Sequence, residues 1–450
     1  MIDLKINQEL NNFSSFNGID EAFLPIFINK YLKLNNKLFL VLKDDKQLNE
    51  IESLISISNP NCKVLSIPAW DISPYDNSSP NKVLNGQRIS TLSSLVNNDF
   101  LDDELVILTT FNSIFIKTAP FDFYKNLYLD ILISQTISIS NLRDKLTEMG
   151  YTKVNTVREN NEFAVRGDII DIFNSGKENP IRIYLNNDKI EKITFFDALT
   201  QRNKSKLKID NKFVIFPASE ILLSRVNIEV FKKNYSSSFD IDLKNDDQYT
   251  KILSGHRISG IENYFSLFFD TDLSNIFDLI SKKKCLSDIK YLIFDKNINH
   301  VLMKLEEIEL LYKRRSDEFT KILQPDQNYL TLNEFKNYQK KLKFNFINDL
   351  QLSNSYDFLS KKIILPTSNS INRSALEQLS EFINKQLNNR KTIIFCCEEK
   401  EKLFNYKKYF EGTIKDKKIK IIYLNYYDLL NSTELSNFIF CNINITNSFE

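Results

Sequence analysis

Arg166, in the stretch FAVRGDIIDIF from Phe163 to Phe173, and Arg182, in PIRIYL, are the residues whose type and setting point to specific chemistry. A guanidinium presents a planar fork of donors that pairs with carboxylates across an interface. In PIRIYL, strand alternation sends Ile181, Ile183 and Leu185 to one face and Arg182 and Tyr184 to the other. Gly167, lacking a Cβ, marks a point where the strand around Arg166 can bend or bulge. A simple meander would then bring Arg166 and Arg182 close together on the outer face. Two readings follow: the pair solvates the open face of a sheet, or it docks an acidic partner. The Arg-Gly-Asp triplet also matches an adhesion motif. That use is not expected, because MIDLKINQEL has no basic stretch leading into an apolar core, which points to a cytoplasmic protein.

Other chemistry lacks its residues. A phosphate-cradling loop needs a glycine-rich turn followed by Lys and a hydroxyl, and no Gly-Lys-Ser or Gly-Lys-Thr occurs in the sequence. The nearest candidate, FNGID at Phe16 to Asp20, has one Gly and no Lys. The acidic run LDDEL, Leu101 to Leu105, precedes its strand, so it cannot set a metal-binding carboxylate at a strand's C-terminal end. With 2 His and no Gly-x-Ser-x-Gly, there is little for nucleophilic catalysis. The 5 Cys are scattered, at Cys62, Cys285, Cys396, Cys397 and Cys441, without Cys-x-x-Cys spacing. Buried thiols are expected, with no disulfide framework and no zinc site. Neither catalytic residues, nor a cofactor, nor a metal is expected in this chain.

These side chains need a scaffold, and 450 residues suffice for about three domains. Only 8 residues are Gly, where average usage would give about 30; the abundance of Asn, Ile and Lys fits an AT-rich genome. The formal charge of +1, from 59 basic and 58 acidic residues, advertises no duplex footprint. No apolar run approaches the ~20 residues of a membrane helix. Residues 1–120 alternate helical patterns with unbroken apolar strands such as LFLVL and LVILT, which implies a parallel sheet covered on both faces. Residues 121–207 predict an α+β module, in which a helix from Asn141 to Gly150 lies against an antiparallel meander of FAVRGDIIDIF, PIRIYL and KIEKITFF. Residues 208–345 are helix-rich, and the run KRRSDE reads as a solvated helix face. Alternation returns over 346–450 as a small α/β unit. The chain stops at TNSFE just past a strand, which suggests a longer protein. Trp70, followed by Pro74 and Tyr75, reads as a ligand-stacking loop or as a rigid turn packing aromatics. Glu262 in SGIENY has the type of a catalytic carboxylate, but a capping or inter-domain contact is the expected role.

Several segments together resemble one family. IPAWDISPYDNSSPN followed by GQRISTLSSL is similar to the turn and helix of bacterial transcription-repair coupling factors. RENNEFAVRGDIIDIFNSG and IRIYLNNDKIEKITFFDALTQR resemble the second domain these proteins share with the excision-nuclease subunit UvrB, and FPASEILL and SGIENYFSLFFD match in order. The resemblance spans residues 67 to 270. It implies a helicase-like first domain without a nucleotide site, interrupted by a UvrA-binding module. It also implies a motor using ATP and magnesium, with contacts to RNA polymerase and double-stranded DNA, all in regions absent from this chain. The alternative is a UvrB-like module that binds damaged DNA. The family's UvrA-contacting positions fall on Arg166 and Arg182. A third, usually Phe, falls on Asn186, so an aromatic anchor is lost unless Tyr184 supplies the apolar contact.

Overall fold

Parallel strands buried on both faces read as unbroken apolar runs, and KLFLVL shows why. The computed structural model describes residues 8–19, 23–101, 104–125, 127–204, 211–239, 246–294, 300–318, 321–348, 355–358, 374–389, 392–397, 399–414, 421–425, 428–429 and 438–441. In it the strand Lys37–Leu42 sends Leu38, Leu40 and Leu42 into one core and Phe39 and Val41 into another. Among the described residues it belongs to a 7-stranded sheet. The order is Ser355–Asp357, Ser15–Asn17, Asn345–Ile347, Lys290–Phe294, Lys37–Leu42, Leu105–Thr110, Lys63–Ile67, with every pairing parallel. Helices Leu24–Asn35 and Asp45–Ser58 cover one face, and Lys82–Asn97 packs on the other.

Three of these strands depart from the expected layout. Lys290–Phe294 lies in the stretch read as helix-rich, yet it is a central strand with four of its residues buried. The expected start of the last unit, residue 346, falls inside strand Asn345–Ile347, and Ser355–Asp357 extends the same sheet. Asp102 and Asp103 of LDDEL, and the end segment TNSFE, lie outside the described residues. At FNGID the chain closes on itself. The Phe358 amide donates to Asn17 O at 2.9 Å, and a Cβ on Gly18 would sit 1.9 Å from Phe358 O. Backbone therefore fills the space at the end of this strand.

The second body is a 5-stranded sheet ordered Lys189–Phe195, Ile181–Asn186, Ile169–Ile172, Glu162–Arg166, Thr152–Lys153. Its pairings are antiparallel except the last. Helix Ile139–Glu148, capped by the Ser138 side chain, lays Leu142 and Leu146 on Ile181, Ile183 and Leu185. The expected aliphatic triplet is the buried face. Strand Lys212–Ile215 pairs back onto Leu129–Leu132, and Ile215 and Ala218 join the same core. This body therefore continues past residue 207. A 3-stranded parallel sheet, Ile393–Cys396, Phe438–Cys441 and Ile421–Leu424, packs against helices Ala375–Asn388 and Lys400–Thr413. The architecture is mixed α/β, with parallel and antiparallel sheets in one chain.

Candidate protein-docking site

The Arg166 segment is not one bent strand. Gly167, at φ +59°, opens a two-residue turn with Asp168, and Arg166 pairs with Ile169 across a hairpin. Glycine accepts this left-handed backbone without penalty, and turns with Gly in their first position match strand twist. The hairpin inserts strand Ile169–Ile172 between the strands of Arg166 and Arg182, and it places Asp171 directly opposite Arg182. Asp171 is hidden in the sequence for this reason: with the glycine as a bulge in one strand, no carboxylate falls between the arginines.

Asp171 organises the site. Arg182 donates from Nε to Oδ1 at 2.7 Å and from Nη2 to Oδ2 at 3.0 Å, a bidentate pair, while Arg166 Nη2 donates to the same Oδ2. The two guanidiniums are thus brought together, as expected. Their roles differ. The Arg182 side chain is 12% exposed and Asp171 fully buried, whereas Arg166 is 47% exposed. Loops carrying Val154, Val157 and Ala198 pack over Ala164, Phe173 and Phe196, so this end of the outer face is covered. Arg182 lies with its guanidinium 4.6 Å from the Phe196 ring centroid, and its Nη1 donates to Gln201 O at 3.2 Å. The expectation of two outward arginines on an open face is therefore corrected. Arg182 is sealed in by its own chain, and the hydrogen bonds of Asp171 push its pKa further up. Arg166 uses one nitrogen on Asp171. Its remaining donors have no partner among the described residues.

Tyr184 is half-buried on the same face, and its hydroxyl accepts from Asn203 Nδ2 at 2.9 Å. Asn186 is exposed at the last position of its strand, beside the left-handed turn Asn187 and Asp188. Asp171 serves both guanidiniums and Asp168 adds an exposed carboxylate in the adjoining turn, so what the site offers an acidic group is the set of unused donors on the exposed Arg166 arm.

Residues singled out elsewhere do structural work. Tyr75 is buried and its hydroxyl donates to Leu323 O at 3.2 Å. Trp70 packs edge-on against Phe265 at 6.0 Å, which fits the rigid-turn reading. A cavity of about 260 Å³ beside Trp70 has Asp45, Asp71 and Glu307 in its wall against one cation, Lys304, a poor setting for phosphate. Glu262 is buried and accepts from Ser79 Oγ at 2.7 Å, tying SGIENY to the turn after Trp70. Among the described residues no group of three or more His, Cys, Asp or Glu side chains is placed to hold a metal, and no helix is long and apolar enough to cross a membrane.

The sheet that carries Arg166, Asp171 and Arg182 coincides with a known family. The UvrB interaction domain matches residues 129–221, which also covers the strand Lys212–Ile215. The chain resembles the N-terminal region of transcription-repair-coupling factors. The transcription-repair-coupling factor of Rickettsia conorii is 30% identical over 76% of this chain and 30% of its own length. That of Rickettsia typhi is 27% identical over 74% of this chain, again 30% of the relative. The UvrABC system protein B of Kosmotoga olearia is 27% identical over 49% of this chain and 34% of the relative. The match thus spans about a third of the length of the coupling factors.

Proposed function

We propose that this chain is the UvrA-recruiting portion of a transcription-repair-coupling factor, acting in transcription-coupled nucleotide excision repair in the bacterial cytoplasm. The observation that supports it most directly is the Arg166–Asp171–Arg182 cluster on the outer face of the UvrB interaction domain. In this reading a helicase-like parallel body is interrupted by the UvrA-binding module, and a small α/β unit of unassigned role follows. The translocase motor, with its ATP and magnesium, and the contacts to RNA polymerase and DNA belong to sequence beyond these residues. The backbone of Phe358 beside Gly18 supports a first body that holds no nucleotide. Robust ATP turnover by this chain would contradict that part of the proposal.

Arg166→Ala should weaken UvrA binding by about 2 kcal/mol, or roughly 30-fold, with the unfolding midpoint unchanged because the side chain is half-exposed. Calorimetric titration of UvrA into wild-type and variant chain measures it, and equal affinities would refute the docking role. Stability is spared in Arg166→Ala because Arg182 still satisfies both oxygens of Asp171. Arg182→Ala, by contrast, should weaken binding and also lower stability, since it strips the bidentate partner from that fully buried carboxylate.

The similarity to a UvrABC system protein B also admits a damaged-DNA-binding module. The charge of +1 weighs against it, since Lys and Arg contacts to phosphate supply most non-specific affinity. Titration of damaged duplex across salt distinguishes the two readings.

A further inference from the structure

The docking surface lacks an apolar anchor at Asn186, yet one stands on the adjoining loop. Leu199 is 90% exposed, the most exposed of the large hydrophobic side chains in the described structure. Single exposed hydrophobics are common and need no explanation by themselves. This one differs because its backbone is fixed. Asp197 Oδ1 accepts from the amides of Leu199 at 3.2 Å and Thr200 at 2.8 Å, and from Thr200 Oγ1 at 3.0 Å. Asp197 N donates to Arg202 O, and Gln201 N to Asp197 O, closing the loop at its base. Gln201 Nε2 adds bonds to Val157 O and Ala198 O.

The same loop touches the arginine cluster. Gln201 O accepts from Arg182 Nη1, Arg182 grips Asp171, and Asp171 holds Arg166. One continuous run of hydrogen bonds therefore links the exposed guanidinium to the loop that displays Leu199. Because the loop backbone is already fixed, a partner covering Leu199 pays only for the side chain's own rotamers and not for ordering the loop, which favours binding.

We propose that Leu199 is the apolar anchor of this docking surface, entering an apolar depression on UvrA while Arg166 meets a carboxylate beside it. The inference rests on the UvrA-recruiting reading above and deepens it. On this arrangement Asp171, Arg182 and Gln201 are positioning residues that set the spacing between the charged and apolar contacts.

The test is calorimetric titration of UvrA into wild type, Arg166→Ala, Leu199→Asp and Leu199→Met, with thermal unfolding of each. Leu199→Asp should weaken binding 10-fold or more and Leu199→Met less than threefold, with unchanged unfolding, because the side chain has almost no contacts to lose. Wild-type affinity in Leu199→Asp, alongside weakened Arg166→Ala, overturns the anchor and leaves the recruiting role standing. A wild-type chain that does not bind UvrA removes both.

Discussion

Glu220→Ala is expected to destabilise the parallel-sheet body by about 3–5 kcal/mol, the usual result of stripping one partner from a buried ion pair. Arg88 is 1% exposed and Glu220 2%. The Arg88 Nε lies 3.5 Å from Glu220 Oε2, an ion pair rather than a hydrogen bond, while Nη1 donates to Ser113 Oγ at 2.7 Å and Pro68 O at 3.2 Å. Tyr124 donates its hydroxyl to Glu220 Oε1, and burial, reinforced by that carboxylate, pushes the Tyr124 pKa well above its usual range. Without Glu220, the Arg88 charge stays in the core with neutral partners only, and Tyr124 loses its acceptor. Urea unfolding followed by Trp70 fluorescence measures the loss, since the guanidinium lies 6.0 Å from that ring. Replacing both Arg88 and Glu220 by Met should recover more than half of it, because the cost lies in the uncompensated charge and not in the missing pair. A single variant with the wild-type midpoint would show that the pair is solvated in solution.

That pair also gives a physical reason for what was legible in the sequence. GQRISTLSSL and FPASEILL stood out as landmarks, and the structure joins them as Arg88 on one and Glu220 on the other. Local patterns read well. The alternation in PIRIYL correctly separated Ile181, Ile183 and Leu185 from Arg182 and Tyr184, because a sheet covered on one face by a helix imposes that period. Non-local pairing did not. Lys212–Ile215 returns to Leu129–Leu132, and Ser355–Asp357 to Ser15–Asn17, across separations no window spans. Lys290–Phe294 is hard to see for its surroundings: a short apolar run among helical patterns cannot be told from a buried helix segment by periodicity. The docking site failed at its centre for a related reason. Gly167 permits a bulge or a turn equally well, and only the register, with Asp171 opposite Arg182, decides between them. Once that choice is made, Arg182 becomes the buried partner of Asp171, and Arg166 keeps the exposed guanidinium.

Gly176→Ala is expected to cost about 2–5 kcal/mol and to loosen the antiparallel module from the parallel-sheet body, while leaving the proposed UvrA affinity within about twofold. Gly176 has φ +65°, where a side chain costs about 1–2 kcal/mol. Its added Cβ would also lie 2.7 Å from the carbonyl carbon and oxygen of Gly86, within helix Lys82–Asn97, where overpacking typically adds about 1–3 kcal/mol. Neither neighbour can yield easily. Asn174, just ahead in the loop, donates to Val214 O at 2.7 Å and accepts from Phe216 N at 2.9 Å, and Asn85 Nδ2 reaches Ala218 O at 3.3 Å. Arg166 and Leu199 are set by a separate hydrogen-bond network, so the docking face itself should persist. Gly86→Ala provides the sharper discrimination. In an ordinary helix interior that change stabilises by about 0.5–1 kcal/mol. Here the new Cβ would meet Ser175 Oγ at 2.4 Å and Gly176 N at 2.5 Å, so the sign should reverse. Urea midpoints for both variants, with limited proteolysis across residues 174–177, measure the effect. A stabilised Gly86→Ala protein would mean that helix and module are not in contact in solution.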